Sequence, residues 1–360
     1  MKTIALLVSI VFIVTIATRC SSPVQRDLRA EPDPPPLVEP ETPPTVYVAG
    51  YRNDGARNVA GYWIDDGETI THYELQPGVA GEATDMHVDA NGVVHAVGWY
   101  RSGSTDMVAY WDDGVLTTLD SEGRGTGMHK AEVGLVYVSG YYHDGTRNVA
   151  VYWVVNGGTV TRVDLHTTSA ARATGIAVNG AGVVYASGHY NNGAHDVAVY
   201  WTSNGATVNV VELYPTAFSQ ANAIVIDGGT VYVAGRYLDG TAHAAVWVND
   251  QSGRIGLSSD YGNAKAVIRV SADTVAAGDV RGTVSTRSAV CWNGTVGTEL
   301  NSSEPGAEAH AFAVAVAGAT AYTAGYHDTG EPSAVYWRDC EIRSLSAGVD
   351  SKAFSIVVVE

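Results

Sequence analysis

One short segment returns seven times along this chain at a nearly constant spacing. Each copy is a run of β-forming residues that ends in glycine, as in Val46-Tyr-Val-Ala-Gly-Tyr51. Its glycines are Gly50, Gly98, Gly140, Gly188, Gly235, Gly278 and Gly325, so successive copies lie 42 to 48 residues apart. A fixed period of this length indicates one supersecondary unit per repeat, and it excludes an ordinary single-core fold.

A second segment follows each glycine and ends in tryptophan. It reads Val149-Ala-Val-Tyr-Trp153 in its typical form. The tryptophans are Trp63, Trp111, Trp153, Trp201, Trp247, Trp292 and Trp337, each 12 to 14 residues after its glycine. Between the two segments lies a pair such as Asp54-Gly55, which supplies the positive φ of a tight hairpin. We interpret the repeated Trp as filler between units and the repeated Gly as a point of close approach to the next unit.

Two further strands complete each period, for example residues 207–213 and 173–178. We label the strands of a unit a to d from the innermost outwards. With these labels, the repeats supply seven copies each of strands b, c and d. The repeating region opens on a b strand at Val46 and closes on an a strand at residues 353–359. We therefore predict an all-β, seven-bladed β-propeller of four-stranded antiparallel blades, closed when the C-terminal strand pairs with the N-terminal b, c and d strands. The alternative, an open β-solenoid, requires caps at both ends.

These repeats resemble those of bacterial seven-bladed propellers built from Val-Tyr-Val-Ala-Gly and Ala-Val-Tyr-Trp segments. That group is broadly akin to the WD40, kelch and Tyr-Val-Thr-Asn propellers, and the resemblance covers residues 46–360. It implies an architecture and, for most members, a binding or scaffold role. It does not imply a particular chemistry, because one fold serves many functions.

The first 45 residues predict an export signal and a tether. Met1 and Lys2 precede the apolar run from Ile4 to Ala17, which is too short for a membrane span of about 20 residues. The segment around Cys20 resembles a bacterial lipoprotein signal, so we expect a signal peptide at 1–19, a lipidated Cys20, a Pro- and acid-rich tether at 20–45 and the propeller at 46–360. Arg19 departs from the usual small residue, and simple secretion after cleavage at Ala17 is the alternative.

Export sets the expected location and partners. The resemblance implies a membrane-anchored lipoprotein of the bacterial envelope, periplasmic or surface-exposed, with a monomeric propeller. A formal charge of −17 opposes a polyanion and argues against nucleic acid as a partner. An oxidising compartment also permits a disulfide between Cys291 and Cys340, but their different offsets from the repeated Trp favour two free thiols.

The residues that follow each repeated glycine are the predicted binding surface. They lie on the face that carries the b-to-c loops and d-to-a connections, and aromatic and basic side chains there can stack on sugars and pair with carboxylates. The predicted residues are Tyr51, Arg52, Trp99, Tyr100, Arg101, Tyr141, Tyr142, His143, His189, Tyr190, Arg236, Tyr237, Tyr326 and His327. The alternative is that these residues only end strand b, with rings packed between blades and arginines paired to acids.

Catalytic motifs are absent from the sequence. It contains no Gly-x-Ser-x-Gly, His-Glu-x-x-His or phosphate loop, so we expect no catalytic residues, metal or cofactor. His87 and His129, with Asp85, are a weaker alternative metal site that needs further ligands. The predicted function is a noncatalytic binding or assembly module for an envelope protein or glycan. The alternative is a propeller enzyme of lyase or lactonase type acting on an extracytoplasmic carbohydrate or small molecule.

Overall fold

Seven four-stranded antiparallel sheets surround a central channel. The structure, a computed structural model, describes residues 43–131, 134–258, 261–281, 286–300 and 307–360. The predicted signal peptide, Cys20 and the predicted tether up to residue 42 lie outside these ranges. No helix within the described residues has the length and hydrophobicity that a transmembrane span requires.

The strands follow one another in the order that the repeats predict, with four per blade. Blade 1 contains β1 (Thr45–Asn53), β2 (Asn58–Asp65) and β3 (Ile70–Glu74). Blade 2 contains β4 (Gly81–Val88), β5 (Val94–Ser102), β6 (Thr105–Asp112) and β7 (Val115–Ser121). Blade 3 contains β8 (Gly123–Lys130), β9 (Val136–His143), β10 (Asn148–Asn156) and β11 (Thr159–His166). Blade 4 contains β12 (Ala171–Val178), β13 (Val184–Asn191), β14 (Asp196–Ser203) and β15 (Val208–Glu212).

The remaining blades repeat the pattern. Blade 5 contains β16 (Ser219–Asp227), β17 (Thr230–Asp239), β18 (Thr241–Val248) and β19 (Arg254–Gly256), with one turn of 3-10 helix at Gln251–Gly253. Blade 6 contains β20 (Gly262–Val270), β21 (Asp273–Arg281), β22 (Arg287–Asn293) and β23 (Val296–Leu300). Blade 7 contains β24 (Glu308–Ala317), β25 (Thr320–Asp328), β26 (Pro332–Arg338) and β27 (Glu341–Ser344). The last strand, β28 (Ser351–Val359), returns to blade 1.

The two ends of the repeating region meet in one sheet. Strand β28 pairs antiparallel with β1, so that Val48 lies opposite Ile356 and Val46 lies opposite Val358. The order of blade 1 is β28-β1-β2-β3, and β28 also contacts β4 and β24 on the neighbouring blades. The predicted seven-bladed propeller and its mode of closure are confirmed.

The core lies between the blades, and the repeated tryptophans are its largest side chains. Trp63 packs on Tyr322 and Tyr336 of blade 7, and Trp111 packs on Ala49 and Ala60 of blade 1. All seven repeated tryptophans are 1% exposed or less. Their buried position confirms the interpretation of these tryptophans as structural filler. Removing one of them would lower the free energy of unfolding by about 3 to 5 kcal/mol.

The face opposite the b-to-c loops is rich in aspartates that cap its turns. Asp66, Asp89 and Asp250 accept hydrogen bonds from backbone N–H groups of their own turns, and these and similar bonds lower the pKa of each carboxyl group. Cys291 and Cys340 are both free thiols, as their spacing favours.

A carboxyl group inside the channel joins the closing strand to its neighbours. Asp85 Oδ1 accepts hydrogen bonds from the Met86 N–H at 2.8 Å and from Ser355 Oγ of β28 at 2.7 Å. Asp85 Oδ2 accepts the Met128 N–H of β8 at 2.8 Å. Burial raises the pKa of Asp85 and these bonds lower it, with a net increase. The side chain thus connects the inner strands of blades 1, 2 and 3.

The raised pKa of Asp85 predicts a pH-dependent contribution to stability. The unfolded chain ionises at its ordinary carboxyl pKa, of about 3.9, whereas the folded chain holds its proton to higher pH. The stabilisation by Asp85 is therefore complete at low pH and is lost as the pH rises through the folded pKa, by about 1.4 kcal/mol for each unit of difference. We expect the stability advantage of the wild type over Asp85→Asn to shrink as the pH rises above about 4 in urea unfolding. An advantage that grows with pH would mean that the folded state stabilises the ionised carboxylate.

Candidate ligand-binding site at the channel entrance

The inner strands begin on the face that carries the b-to-c loops, which we call the upper face. These strands are β4, β8, β12, β16, β20, β24 and β28, and together they line a channel cavity of about 310 Å³. We call its upper mouth the entrance. Side chains from the first few positions of seven different strands therefore converge there, although they lie far apart in sequence.

Every inner strand carries a one-residue β-bulge close to the entrance. In β4, for example, Ala83 pairs with Gly98 and Asp85 pairs with Val97, which leaves Thr84 as the extra residue. A bulge re-aims its side chain and is common beside functional sites. The seven bulge residues, taken around the ring from blade 2 to blade 1, are Thr84, Thr126, Thr174, Asn222, Lys265, Phe312 and Phe354.

The repeated glycine stands opposite this bulge. A Cβ atom on Gly98 would lie 1.9 Å from the carbonyl oxygen of Glu82, on the inner strand of the same blade. At Gly325 the corresponding distance, to the carbonyl oxygen of His310, is 1.8 Å. The glycines therefore do allow close approach, but the neighbour is the bulged strand of their own blade. The expected approach to the next blade is also present at Gly98, because a Cβ atom on Gly125 of blade 3 would lie 3.2 Å from the Gly98 carbonyl oxygen. The bulge itself could not be placed without the strand register.

In blades 2 to 5 the bulge side chain fastens its blade to the next one. Each donates a hydrogen bond to a backbone carbonyl on the following inner strand. The four bonds run from Thr84 to Gly125 (2.9 Å), Thr126 to Ala173 (3.0 Å), Thr174 to Ala221 (2.9 Å) and Asn222 to Ala264 (2.7 Å). Each such bond contributes about 1 kcal/mol, so this position is structural in these blades.

Blades 6, 7 and 1 break the pattern at the same position. Their bulge residues are Lys265, Phe312 and Phe354, and within the described ranges none of them hydrogen-bonds to the next inner strand. Phenylalanine has no group that can do so. In these three adjacent blades Lys265 and Phe312 contact the bulge residue of the next blade through an aromatic ring and not through a backbone hydrogen bond.

Lys265 is the centre of a buried group of charges. Its Nζ lies 2.6 Å from Asp279 Oδ1 and 3.8 Å from the ring centroid of Phe312. The Asp279 side chain is 2% exposed, and His310 Nδ1 and Arg287 Nη1 lie 3.5 Å and 4.0 Å from its oxygens. Burial raises the pKa of Asp279, but the His310 hydrogen bond and the Lys265 charge outweigh it and the pKa is lowered. Burial lowers the pKa of Lys265 despite its ion pair.

Aromatic rings form a wall beside this group. Phe312 and Phe354 meet edge to face, with ring centroids 5.3 Å apart and planes at 89°. Phe354 continues to Tyr51 at 6.0 Å, and Phe312 continues to Tyr326 at 5.9 Å. Lys352 Nζ lies 4.4 Å from the centre of the Tyr326 ring. The wall thus spans blades 7 and 1 and carries a lysine at its edge.

Several cations around the entrance lack an acidic partner. Within the residues that the structure describes, no carboxylate lies within ion-pair distance of Arg172, Arg236 or Lys352; Arg236, for instance, donates to the amide oxygen of Gln220 at 2.8 Å. Burial lowers the pKa of His189, and Arg172 and Arg236 add to this effect against Asp196. Arg236 also contributes to the lowered pKa of Lys265. These positive charges therefore act on one another across the entrance.

The predicted binding residues fall into two groups. The residue directly after each repeated glycine pairs with the inner-strand residue two positions before the bulge residue. This first group contains Tyr51, Trp99, Tyr141, His189, Arg236 and Tyr326. These residues take the same place in six blades, and Asp279 takes the corresponding place in blade 6.

Part of this first group is held by contacts within the protein. Trp99 Nε1 donates to Glu82 at 3.1 Å, and the Arg124 guanidinium lies 4.1 Å from the Trp99 ring centroid. The Arg172 guanidinium lies 4.5 Å from the Tyr141 ring centroid. Each cation–π contact of this kind stabilises the folded protein by about 0.5 to 2 kcal/mol. In blades 2 to 4 these side chains are therefore held in place by contacts within the protein.

The second group lies further from the channel. Tyr100, Tyr142, Tyr190 and Tyr237 lean on the outer strands, where they contact Thr118, Arg162, Glu212 and Arg254 respectively. Arg101 pairs with Asp106 at 2.6 Å, and His143 Nδ1 accepts the Gly145 N–H of its own turn. Arg52 lies in a separate groove with Asp54, Glu74, Glu331 and Asp350. His327 Nδ1 is buried and has no hydrogen-bond partner among the described residues. The structure does not bring these side chains to the entrance.

Sequence reasoning missed Lys265, Asp279, His310, Phe312, Lys352 and Phe354. A signal was present, because aligning the inner strands on Met86, Met128, Ile176, Ile224, Val267, Val314 and Ile356 places the bulge residues two positions earlier. Four of those seven residues are Thr or Asn and three are not. The change coincides with blades 6, 7 and 1.

The alternative metal site gains no support from geometry. Within the described residues, no group of three or more His, Cys, Asp and Glu side chains is arranged to hold a metal ion. Asp85 is engaged by Met86, Met128 and Ser355, and burial lowers the pKa of both His87 and His129.

Comparison with known proteins supports the fold of this chain but assigns it no function. No family model and no curated protein matches this chain. The β-propeller domain of the Trilobed protease from Pyrococcus furiosus, described as having an open velcro topology, is similar with a TM-score of 0.53 and 9% identity over 84% of this chain and 94% of that one. A proposed 6-phosphogluconolactonase from Bacteroides fragilis is similar with a TM-score of 0.52 and 12% identity over 91% and 100% of the two chains. At such identities the likeness supports the β-propeller fold alone.

Proposed function

We propose that this chain is an exported, lipid-anchored binding module of the bacterial envelope, and that its ligand binds without chemical change at the entrance beside blades 6, 7 and 1. The observation that carries the proposal is the break in the repeat at Lys265, Phe312 and Phe354. All seven bulge residues line the cavity, but in blades 2 to 5 the side chain is hydrogen-bonded to the next blade, whereas here it presents an aromatic wall and an ammonium group. Binding residues are commonly placed where a rigid scaffold varies.

The electrostatics of the entrance support a ligand there. The whole chain carries a formal charge of −17, yet Arg172, Arg236 and Lys352, which lie near the upper ends of their strands, have no carboxylate within ion-pair distance among the described residues. Unpaired cations in a concave, partly buried site attract an opposite charge more strongly than cations exposed on a surface. A glycan or an envelope protein with acidic groups fits this field.

One observation favours binding over catalysis, since the Asp279 carboxylate, which would be the natural general base, is already shared by Lys265, His310 and Arg287. The cavity, at about 310 Å³, lies within the range of about 300 to 1,000 Å³ that ligand pockets span. The same buried Lys, Asp and His nevertheless make a lyase or lactonase the second candidate, and turnover of a lactone or a glycan by the purified protein would establish it.

The binding proposal is tested with the full-length protein purified from membranes. We expect it to retain ligands on an array of acidic glycans, neutral glycans and peptides, and we expect Phe312→Leu combined with Phe354→Leu to weaken that retention by about tenfold, the effect of losing about 1.4 kcal/mol of contact. Tyr73→Leu is the matched control, because Tyr73 is an aromatic residue on outer strand β3 that is 44% exposed. Equal retention by all three proteins would remove the entrance from the proposal. When cells that produce each protein are fractionated, Cys20→Ser should move the protein from the membrane to the soluble fraction.

A further inference from the structure

The side chains at the break in the repeat define the chemistry of the ligand. The aromatic faces of Phe312 and Phe354 meet at a right angle and enclose an apolar corner of the cavity. Lys265 lies over Phe312 and Lys352 lies over Tyr326, and these two rings are neighbours in the wall, with centroids 5.9 Å apart. A ligand that contacts both phenylalanine rings and both lysines must have a compact apolar surface and a negative charge.

The two lysines differ in how their charge is used. Lys265 is paired with Asp279, and its side chain is 15% exposed. Lys352 lies on the closing strand with no carboxylate at ion-pair distance in the described part of the chain, so its charge is free to bind an anion. An ammonium group has three N–H donors, so Lys265 can keep Asp279 and still donate to a ligand.

The polar groups at the base of the wall match hydroxyl groups. Asp279 and His310 are both 5% exposed or less at the side chain and lie 3.5 Å apart, Nδ1 to Oδ1. Asn222, on the neighbouring blade, also lines the cavity. Acceptors and donors close to an aromatic plane are suited to a ring with several hydroxyl groups. A flexible acidic peptide would use the charges, but it would lose more conformational freedom on binding than a rigid sugar ring does.

We infer that the ligand is a carboxylated sugar, a uronic acid unit of an acidic glycan, whose ring stacks on Phe312 and Phe354 and whose carboxylate binds Lys352 and Lys265. This inference rests on the proposed function and adds the substrate class. The cavity of about 310 Å³ accommodates a single small unit and opens at the entrance, where the rest of a glycan would continue over the upper face. Arg236 in blade 5 and Arg172 in blade 4 extend the positive field from Lys265 around the entrance.

The test is calorimetric titration of the full-length protein with D-glucuronate and D-galacturonate oligomers. The matched neutral probes are glucose and galactose oligomers, and acetate is the simple anion. We expect the uronates to bind, the neutral sugars to bind at least about tenfold more weakly, and added salt to weaken uronate binding. Lys352→Gln should weaken uronate binding by about tenfold or more, because a charged hydrogen bond contributes about 1.5 to 3 kcal/mol.

The controls separate the failure of this inference from that of the proposed function. Arg162→Gln makes the same charge change on outer strand β11, where Arg162 pairs with Asp120 and Asp164, and it should leave uronate binding unchanged. Lys265→Gln should weaken binding as Lys352→Gln does, and Lys352→Gln keeps the test decisive if Lys265→Gln fails to fold. The uronate inference alone would be overturned if acetate competed equally with the uronates. It would also be overturned if the protein preferred a neutral glycan or a peptide and the Phe312→Leu variant lost that binding. Binding that no entrance variant alters would overturn both.

Discussion

A chain that lacks residues 353–360 is expected to lose cooperative folding. The deletion removes the greater part of β28, including the buried Ala353 and Ile356, and leaves the backbone of β1 as an unpaired edge. It also removes Ser355, which joins blade 1 to Asp85 of blade 2. Burial of one large aliphatic side chain and several hydrogen bonds is lost together, so we expect a loss of at least about 5 kcal/mol, a large part of the stability of a typical domain.

The measurement is urea unfolding followed by tryptophan fluorescence, since the buried tryptophans lie between the blades. Removal of Glu360 alone is the control, because this residue is exposed and lies beyond the end of β28; it should change stability by less than about 0.5 kcal/mol. A truncated chain that unfolds at the same urea concentration as the whole would mean that the ring does not depend on its closing strand.

Gly98→Ala is expected to destabilise the protein by about 3 kcal/mol, through contact with backbone rather than through lost flexibility. The added Cβ would lie 1.9 Å from the Glu82 carbonyl oxygen and 3.1 Å from the Ala83 Cα. Neither atom belongs to a side chain that can rotate away, so the bulge of β4 itself must move. Because that bulge positions Thr84, the hydrogen bond to Gly125 of the next blade should weaken as well.

Gly180→Ala is the matched substitution for this experiment. Gly180 lies in a turn of blade 4, its φ is not positive, and no atom lies within 4 Å of the place that the added methyl group would take. We expect it to be neutral or to stabilise the protein by about 0.5 kcal/mol, since alanine restricts the unfolded chain. Thermal unfolding of both variants compares them directly. Similar small effects at the two positions would show that the bulge adapts easily.

The repeats predicted the architecture because they report local and periodic physics. Alternating β-forming residues, Asx-Gly turns and a Trp in fixed register recur in every unit, and each unit can bury its faces only against another copy. The incomplete first and last units, at Val46 and at residues 353–359, predicted how the ring closes. The ring of residues after the repeated glycines, from Tyr51 to Tyr326, could also be located, because strand polarity fixes the face on which it lies.

The identity of the site residues within that ring was harder to predict. Tyr100 and Tyr237 resemble Trp99 and Tyr326 in sequence, but alternate residues of a strand face opposite sides of the blade. Arg101 is predicted to bind ligand because it is basic, yet its guanidinium group is paired with Asp106. Which cations keep a free charge, such as Lys352, depends on partners from other blades.

The sequence by itself determined the number of blades, the order of their strands and the closure of the ring, because these follow from hydrophobic and turn patterns repeated within about 45 residues. Only the tertiary structure decided which positions form the entrance. The bulge that turns Lys265, Phe312 and Phe354 towards the channel exists only in the paired register of two strands, and the contacts that use up or free each charge come from residues far apart in the chain.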